Sequence, residues 1–202
     1  STRESVGFIV YGIRMNILQN NPYRLLGVYS NSPTKERLAN HNRMKAFLKV
    51  GKSVSFPLDV PQYLSSINRT EASAADAEAK LTLPKDQILH AQFWFIKTTP
   101  LDEVAFNHLF AGEIDKAEEI WQKRECLSAL QNRIVCALIR NRYDSAIKCA
   151  EVLYGNTQYL NQFVSTIIGT GGNFDVSNLA FSFLDILCDE IGASKLLPFI
   201  AN

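Results

Sequence analysis

Residues 101–155 read LDEVAFNHLFAGEIDKAEEIWQKRECLSALQNRIVCALIRNRYDSAIKCAEVLYG, and this stretch decides the fold class. Its apolar residues return at steps of three and four, as one face of a helix requires, and no run alternates at the two-residue step of a strand. A pattern also recurs inside it. Ala111-Gly112-Glu113-Ile114-Asp115-Lys116-Ala117 and Arg140-Asn141-Arg142-Tyr143-Asp144-Ser145-Ala146 each set a turn residue, an apolar residue, Asp and a small Ala at the same relative positions, 29 residues apart (117 to 146). Each copy opens an amphipathic helix, and the small Ala lets the second helix of a hairpin approach the first closely.

Outward from this stretch the same punctuation continues. Helices are expected at about 101–111, 113–124, 125–141, 143–154, 157–169 and 175–191, with Gly112, Gly155, Gly169 and Gly192 as left-handed end caps. Toward the amino terminus, Asn21-Pro22 opens a short helix closed by Gly27. Thr34 caps a long helix to about Val50, with Gly51 as its stop. Residues 51–69 hold two prolines and no helical period, and read as an extended connector. Thr70-Glu71 starts an Ala-rich helix through Leu81, and Pro84 starts another, PKDQILHAQFWFIK. Phe93-Trp94-Phe95-Ile96 is too apolar to lie on one exposed face, so it is placed where two helical units meet. The fold class expected is all-α.

Composition narrows the function. The chain has 202 residues, 47% hydrophobic and 20% charged, with a formal net charge of +1, so no global field draws it to nucleic acid or an anionic membrane. Cys126, Cys136, Cys149 and Cys188 form no Cys-x-x-Cys pair, and His41, His90 and His108 stand near none of them at zinc-finger spacing. A reduced, cytoplasmic chain without metal or cofactor is the expectation. Val6 to Ile13, VGFIVYGI, is too short for a membrane span, which needs about 20 residues. Residues 1–14 read as a weakly ordered leader or a gene-start artefact. The end, Lys195-Leu196-Leu197-Pro198-Phe199-Ile200, stays apolar, as a fragment of a longer array or a dimerising edge would.

The recurring turn-apolar-Asp-Ala pattern resembles the second half of tetratricopeptide units, at an offset shorter than that family's 34 residues. A second resemblance lies upstream. Asn21-Pro22-Tyr23-Arg24-Leu25-Leu26-Gly27-Val28 resembles the opening of J-domains, Thr34-Lys35-Glu36-Arg37-Leu38 sits where their second helix begins, and Ala79 to Gln87 resembles the end of their third. The likeness covers about residues 21–97. J-domains stimulate a heat-shock ATPase through His-Pro-Asp, a slot that here holds Val50-Gly51-Lys52. The resemblance therefore implies a J-like unit at 15–97 without that activity, joined to a tetratricopeptide-like array at 98–202, an arrangement associated with bacterial proteins.

No residue set resembles an active site, and the chain is read as no enzyme. The three histidines lack a nucleophile or carboxylate at useful spacing. Gly169-Thr170-Gly171-Gly172 lacks the Lys-Ser/Thr of a phosphate loop and no strand precedes it. Asp185 and Asp189 lie one turn apart beside Glu190, but no facing Glu-x-x-His helix completes a di-metal set. Lys35, Arg37, Arg43, Lys45, Lys49 and Lys52 against the single acid Glu36 form either a solvated face or a docking face for a protein partner. An RNA- or anion-binding module on this helix, 34–52, is the alternative, disfavoured because no base-stacking aromatics interleave the charges. Phe106, Phe110, Trp121 and Tyr143 either line a concave groove between hairpins or form core, and Trp94 and Trp121 are expected at the junction.

Overall fold

The computed structural model describes residues 15–171 and 174–200, so the readings made on residues 1–14 and on Gly172 lie outside it. Among the described residues there are twelve α-helices, one 3-10 turn and no strand.

The first three helices follow from their caps. Helix α1 is Asn16–Gln19, and its first amides are capped from the far end of the chain: the Glu190 carboxylate accepts from Asn16 N (2.6 Å) and Ile17 N (3.1 Å). Helix α2, Pro22–Leu25, opens with the Asn21 Oδ1 accepting from Tyr23 N at 3.1 Å. Gly27 then takes φ 68°, and an added Cβ there would collide with the Phe56 ring. Helix α3 is Thr34–Lys49. Thr34 does not cap it: Pro33, held extended at φ −63° and ψ 151°, occupies the cap position and no side chain accepts there, because Thr34 is already helical.

The connector beyond α3 contains only the 3-10 turn Pro57–Asp59. Val60, buried and left-handed at φ 46°, carries about 1–3 kcal/mol of backbone strain. Helix α4, Glu71–Lys80, starts with a reciprocal pair: Thr70 Oγ1 accepts from Ser73 N (3.0 Å) and Ser73 Oγ from Thr70 N (2.9 Å). Helix α5 is Pro84–Ala91. It stops six residues before the reading from its sequence, which ran to Lys97.

The early stop has a physical cause. The amides of Gln92, Phe93 and Trp94 close the last helical turn, but the carbonyls of residues 91–97 and the amides of Ile96 and Lys97 turn mainly to side chains on both sides. Gln131 Nε2 reaches the carbonyls of Ala91, Gln92 and Trp94 at 3.0–3.1 Å, and Asn132 pairs both the amide and the carbonyl of Ile96 at 2.9 Å. From the other side, Asn31 pairs both backbone groups of Lys97 (3.0 and 2.7 Å), Ser30 Oγ donates to the Phe95 carbonyl (3.0 Å), and Trp94 Nε1 donates to the Val28 carbonyl (3.0 Å). Residues 93–96 are fully buried, so each unmade backbone bond here would cost about 1–3 kcal/mol. The segment is a splint between the two halves.

Helices α6 (Pro100–Phe110) and α7 (Ile114–Gln122) form one hairpin, and α8 (Leu127–Ile139) and α9 (Tyr143–Gly155) the next. The sequence echo is matched in backbone geometry. Gly112 (φ 81°) and Asn141 (φ 56°) are both left-handed, and the amide after each reaches back five residues, Glu113 N to the His108 carbonyl at 2.9 Å and Arg142 N to the Ala137 carbonyl at 2.8 Å. Ala117 and Ala146 are fully buried. Gly155, by contrast, has no positive φ and is the last residue of α9 itself, since Asn156 caps the next helix directly.

Helix α10 (Thr157–Ile168) packs on α5 and α9, and α11 (Leu179–Ile191) on α9 and α12 (Ala193–Ile200). Phe93 stacks on Phe183 at 5.1 Å, and Gln92 Nε2 donates to the Leu179 carbonyl at 2.9 Å. One hydrophobic core thus runs from Met15 to Leu196 through the splint. At its far end Leu196 is buried while Leu197 and Phe199 are exposed.

Candidate functional site

Helix α3 departs from every other long helix in one respect: of its sixteen residues only Met44 is buried. Its packed side faces α2 and α4, where Asn40 Nδ2 donates to the Leu26 carbonyl at 2.9 Å and Arg37 pairs with Glu78 at 3.3 Å. Residues 35, 38, 42, 45 and 49 recur at helical spacing on the opposite side, and all five are exposed. That outward stripe therefore carries Lys35, Lys45 and Lys49 around Leu38, which is 48% exposed. No carboxylate among the described residues lies within ion-pair range of these lysines.

The six cations singled out in the sequence thus divide by position. Lys35, Lys45 and Lys49 share the stripe, and the exposed Lys52 follows the helix stop at Gly51. Arg37 turns inward to Glu78. Arg43 lies to one flank, its guanidinium 5.7 Å from the Phe47 ring centroid and 5.8 Å from that of Phe56. Phe47 and Val50 are themselves exposed, Val50 at 68%, so the end of the helix is apolar as well as basic.

The aromatic groove divides differently. Phe106 and Trp121 are core, meeting edge to face at 5.1 Å, and Tyr143 is buried with its hydroxyl donating to Asn141 Oδ1 at 2.9 Å. None of the three lines a groove, because their position at the hairpin contacts requires apolar bulk there. Phe110 alone of the four is partly open. It borders a cleft of about 630 Å³ against the connector.

That connector is organised by two arginines that sequence reading passed over. Arg69 Nη1 and Nη2 hold Asp59 while its other bonds go to the carbonyls of Leu25 (2.8 Å), Val54 (3.1 Å) and Arg24 (3.1 Å). Arg24 grips carbonyls at 19, 59 and 65. A buried Arg in a proline-broken loop has no periodicity to announce it. The signal available was chemical: an irregular run of about twenty residues leaves backbone carbonyls unpaired, and only a five-donor side chain satisfies several at once.

The histidines and acids divide by position. His108 Nδ1 lies 2.7 Å from Glu113. Asp185 and Asp189 are exposed, whereas Glu190 caps α1. His90 is half-buried and its Nδ1 has no partner. Burial first, then the charge of Lys80, lowers its pKa below the ordinary 6.5, with Asp86 opposing. The folded chain therefore keeps the ring neutral while the unfolded chain takes up a proton near its ordinary value. Stability from this site is present above about pH 6.5 and falls as the pH drops through it. His90→Gln will flatten the acid-side slope in urea midpoints measured across that range, and an unchanged slope would contradict the assignment.

No family model, curated protein or solved structure matches the chain. Among the described residues no group of His, Cys, Asp and Glu is placed to hold a metal ion, and no helix is long and apolar enough to cross a membrane.

Proposed function

We propose that this protein is a non-catalytic docking module that presents the outward stripe of α3 to an acidic protein surface. One observation carries the reading: a sixteen-residue helix buries a single residue and sets three lysines, with no carboxylate partner among the described residues, around an exposed leucine. A helix held on one side and this open on the other is stabilised by tertiary contact at its base, and its outer face is available for a partner. The chemistry of that partner follows by complementarity. Asp and Glu side chains at helical or strand spacing answer Lys35, Lys45 and Lys49, and a shallow apolar pocket takes Leu38. Long lysine stems also cover apolar area at such a contact.

The J-like reading of 15–97 and the tetratricopeptide-like reading of the hairpins belong to the same proposal. With Val50-Gly51-Lys52 in the His-Pro-Asp slot, the chain docks without stimulating a heat-shock ATPase. The adjacent hairpins act as a rigid base for the displayed helix.

The test is quantitative capture from native cell extract by the wild type, by Lys45→Glu/Lys49→Glu and by Leu38→Asp. Partners bound through this stripe are acidic and are lost with both variants, while the thermal midpoint of each variant stays within a few degrees of the wild type, since exposed positions rarely change stability by more than about 0.5 kcal/mol. Identical recovered proteins for all three forms would refute the docking face. Recovery of RNA, with affinity falling by about 20- to 150-fold between 50 and 200 mM salt, as three or four phosphate contacts imply, would instead favour phosphate-backbone binding by the same lysines.

A further inference from the structure

The connector cleft holds more positive charge than its carboxylate can answer. Arg24 is 1% exposed, and its guanidinium gives Nη1 to the carbonyl (2.8 Å) and side-chain oxygen (3.3 Å) of Gln19 and Nη2 to the carbonyls of Asp59 (2.8 Å) and Ser65 (2.7 Å). Its Nε has no acceptor. Asp59 is already engaged by both Nη atoms of Arg69, and its Oδ2 also accepts from Phe56 N at 3.1 Å. Two buried guanidiniums thus share one carboxylate, and the second positive charge faces only carbonyl dipoles. Burial brings Arg24 down to about 10, opposed by the charge of Asp59 and helped to a lesser degree by the like charge of Arg69.

Both arginines line the cleft of about 630 Å³. Its remaining polar wall is Gln62 and four serines. Ser53 and Ser55 on one extended run and Ser65 and Ser66 on another contribute hydroxyls, with Ser65 Oγ lacking any partner. Among the described residues, the amides of Ser53, Ser55, Ser66 and Ile67 have no hydrogen-bond acceptor. Ile67 and Phe110 supply an apolar side.

We propose that this cleft binds a phosphate monoester, its oxyanion held by the serine hydroxyls and free amides in the field of Arg24 and its organic part against Ile67 and Phe110. Donors arriving from two separate runs of chain suit a tetrahedral three-oxygen group better than a planar carboxylate. The charge of Asp59 is offset by Arg69, so the two arginines and the one carboxylate leave the cleft one net positive charge. The site is distinct from the α3 stripe and does not depend on it.

Inorganic phosphate and phenyl phosphate are titrated at constant ionic strength, with chloride as the control, reading the thermal midpoint and the amide shifts of residues 53–67. Phosphate raises the midpoint where chloride does not, the shifts gather at Ser53, Ser55, Ser66 and Ile67, and phenyl phosphate binds several-fold tighter. Ser55→Asp and Ser66→Asp, both on the exposed rim, keep the unliganded midpoint and weaken phosphate at least tenfold, while Lys45→Glu/Lys49→Glu leaves its affinity unchanged. A midpoint indifferent to phosphate, equal affinity in the Ser→Asp variants, or loss of binding in the lysine variant would each overturn the proposal.

Discussion

Asp102→Ala will lower folding stability by about 3–5 kcal/mol, among the largest losses available to a single change in this chain. Asp102 is fully buried in the first turn of α6. Its Oδ2 accepts from Thr98 N (2.9 Å), Thr99 N (2.8 Å) and Thr99 Oγ1 (3.0 Å), and its Oδ1 accepts from Trp121 Nε1 at 2.9 Å. No Lys or Arg among the described residues pairs with it. The charge is stabilised by four donors and by the amino end of the helix dipole. Alanine strands the Trp121 indole N–H in the core, undoes the part-buried Thr98 and Thr99 bonds that start α6, and loosens the tie of α7 back onto α6. Asp102→Asn recovers part of the loss: its amide oxygen at the Oδ2 position still accepts from Thr98 and Thr99, while its NH2 faces Trp121 Nε1, donor against donor. Urea unfolding of the three proteins by far-ultraviolet circular dichroism measures the loss. A cost under about 1 kcal/mol for the alanine variant would mean that these donors find water, and that the α6–α7 hairpin does not depend on the carboxylate.

The second large effect is Arg69→Ala, also about 3–5 kcal/mol, because it leaves Asp59 charged and unpaired and frees the carbonyls of Arg24, Leu25 and Val54 together. The Phe56 ring, 4.9 Å beneath the guanidinium, loses the nearer of its two cations as well. Arg69→Lys does not restore the wild-type midpoint, since one ammonium cannot span the carboxylate and three carbonyls. Limited proteolysis supplies an independent readout. Cleavage will appear within residues 51–69 in the alanine variant under native conditions, while α8 and α9 stay intact. Full rescue by lysine would show that charge alone, and not the fork, orders the connector.

These two residues mark what sequence reading reaches and what it misses. Periodicity located the helices from α6 to α11 because each buries a stripe long enough to repeat, and the echo at Ala117 and Ala146 located two turns of equal geometry, although one uses Gly112 and the other Asn141. Phe93 to Ile96 was legible as a junction from apolarity alone. Its conformation was not, because Gln131 and Asn132 read as ordinary polar positions on α8 and their partners lie more than thirty residues away. The groove residues Phe106, Trp121 and Tyr143 were ambiguous for a related reason: an aromatic at helical spacing looks the same whether it faces a hairpin neighbour or a ligand. Half of the basic helix could be read. Charge count identified it, but only the packing of α3 on α2 and α4 separates the outward Lys35, Lys45 and Lys49 from the inward Arg37.

The account stands on one core shared by both halves through the splint, with α3 displayed on its surface. Native-state hydrogen exchange at the Ile96 amide, bonded to Asn132 and fully buried, tests this most directly. The account predicts that this amide opens only with global unfolding, at the same free energy as the amides of α8 and as Val28 in the other half, while the outward amides of α3 exchange at far lower cost. Two distinct plateaus, with residues 21–90 exchanging at one free energy and 100–165 at another and Ile96 following the weaker, would contradict it.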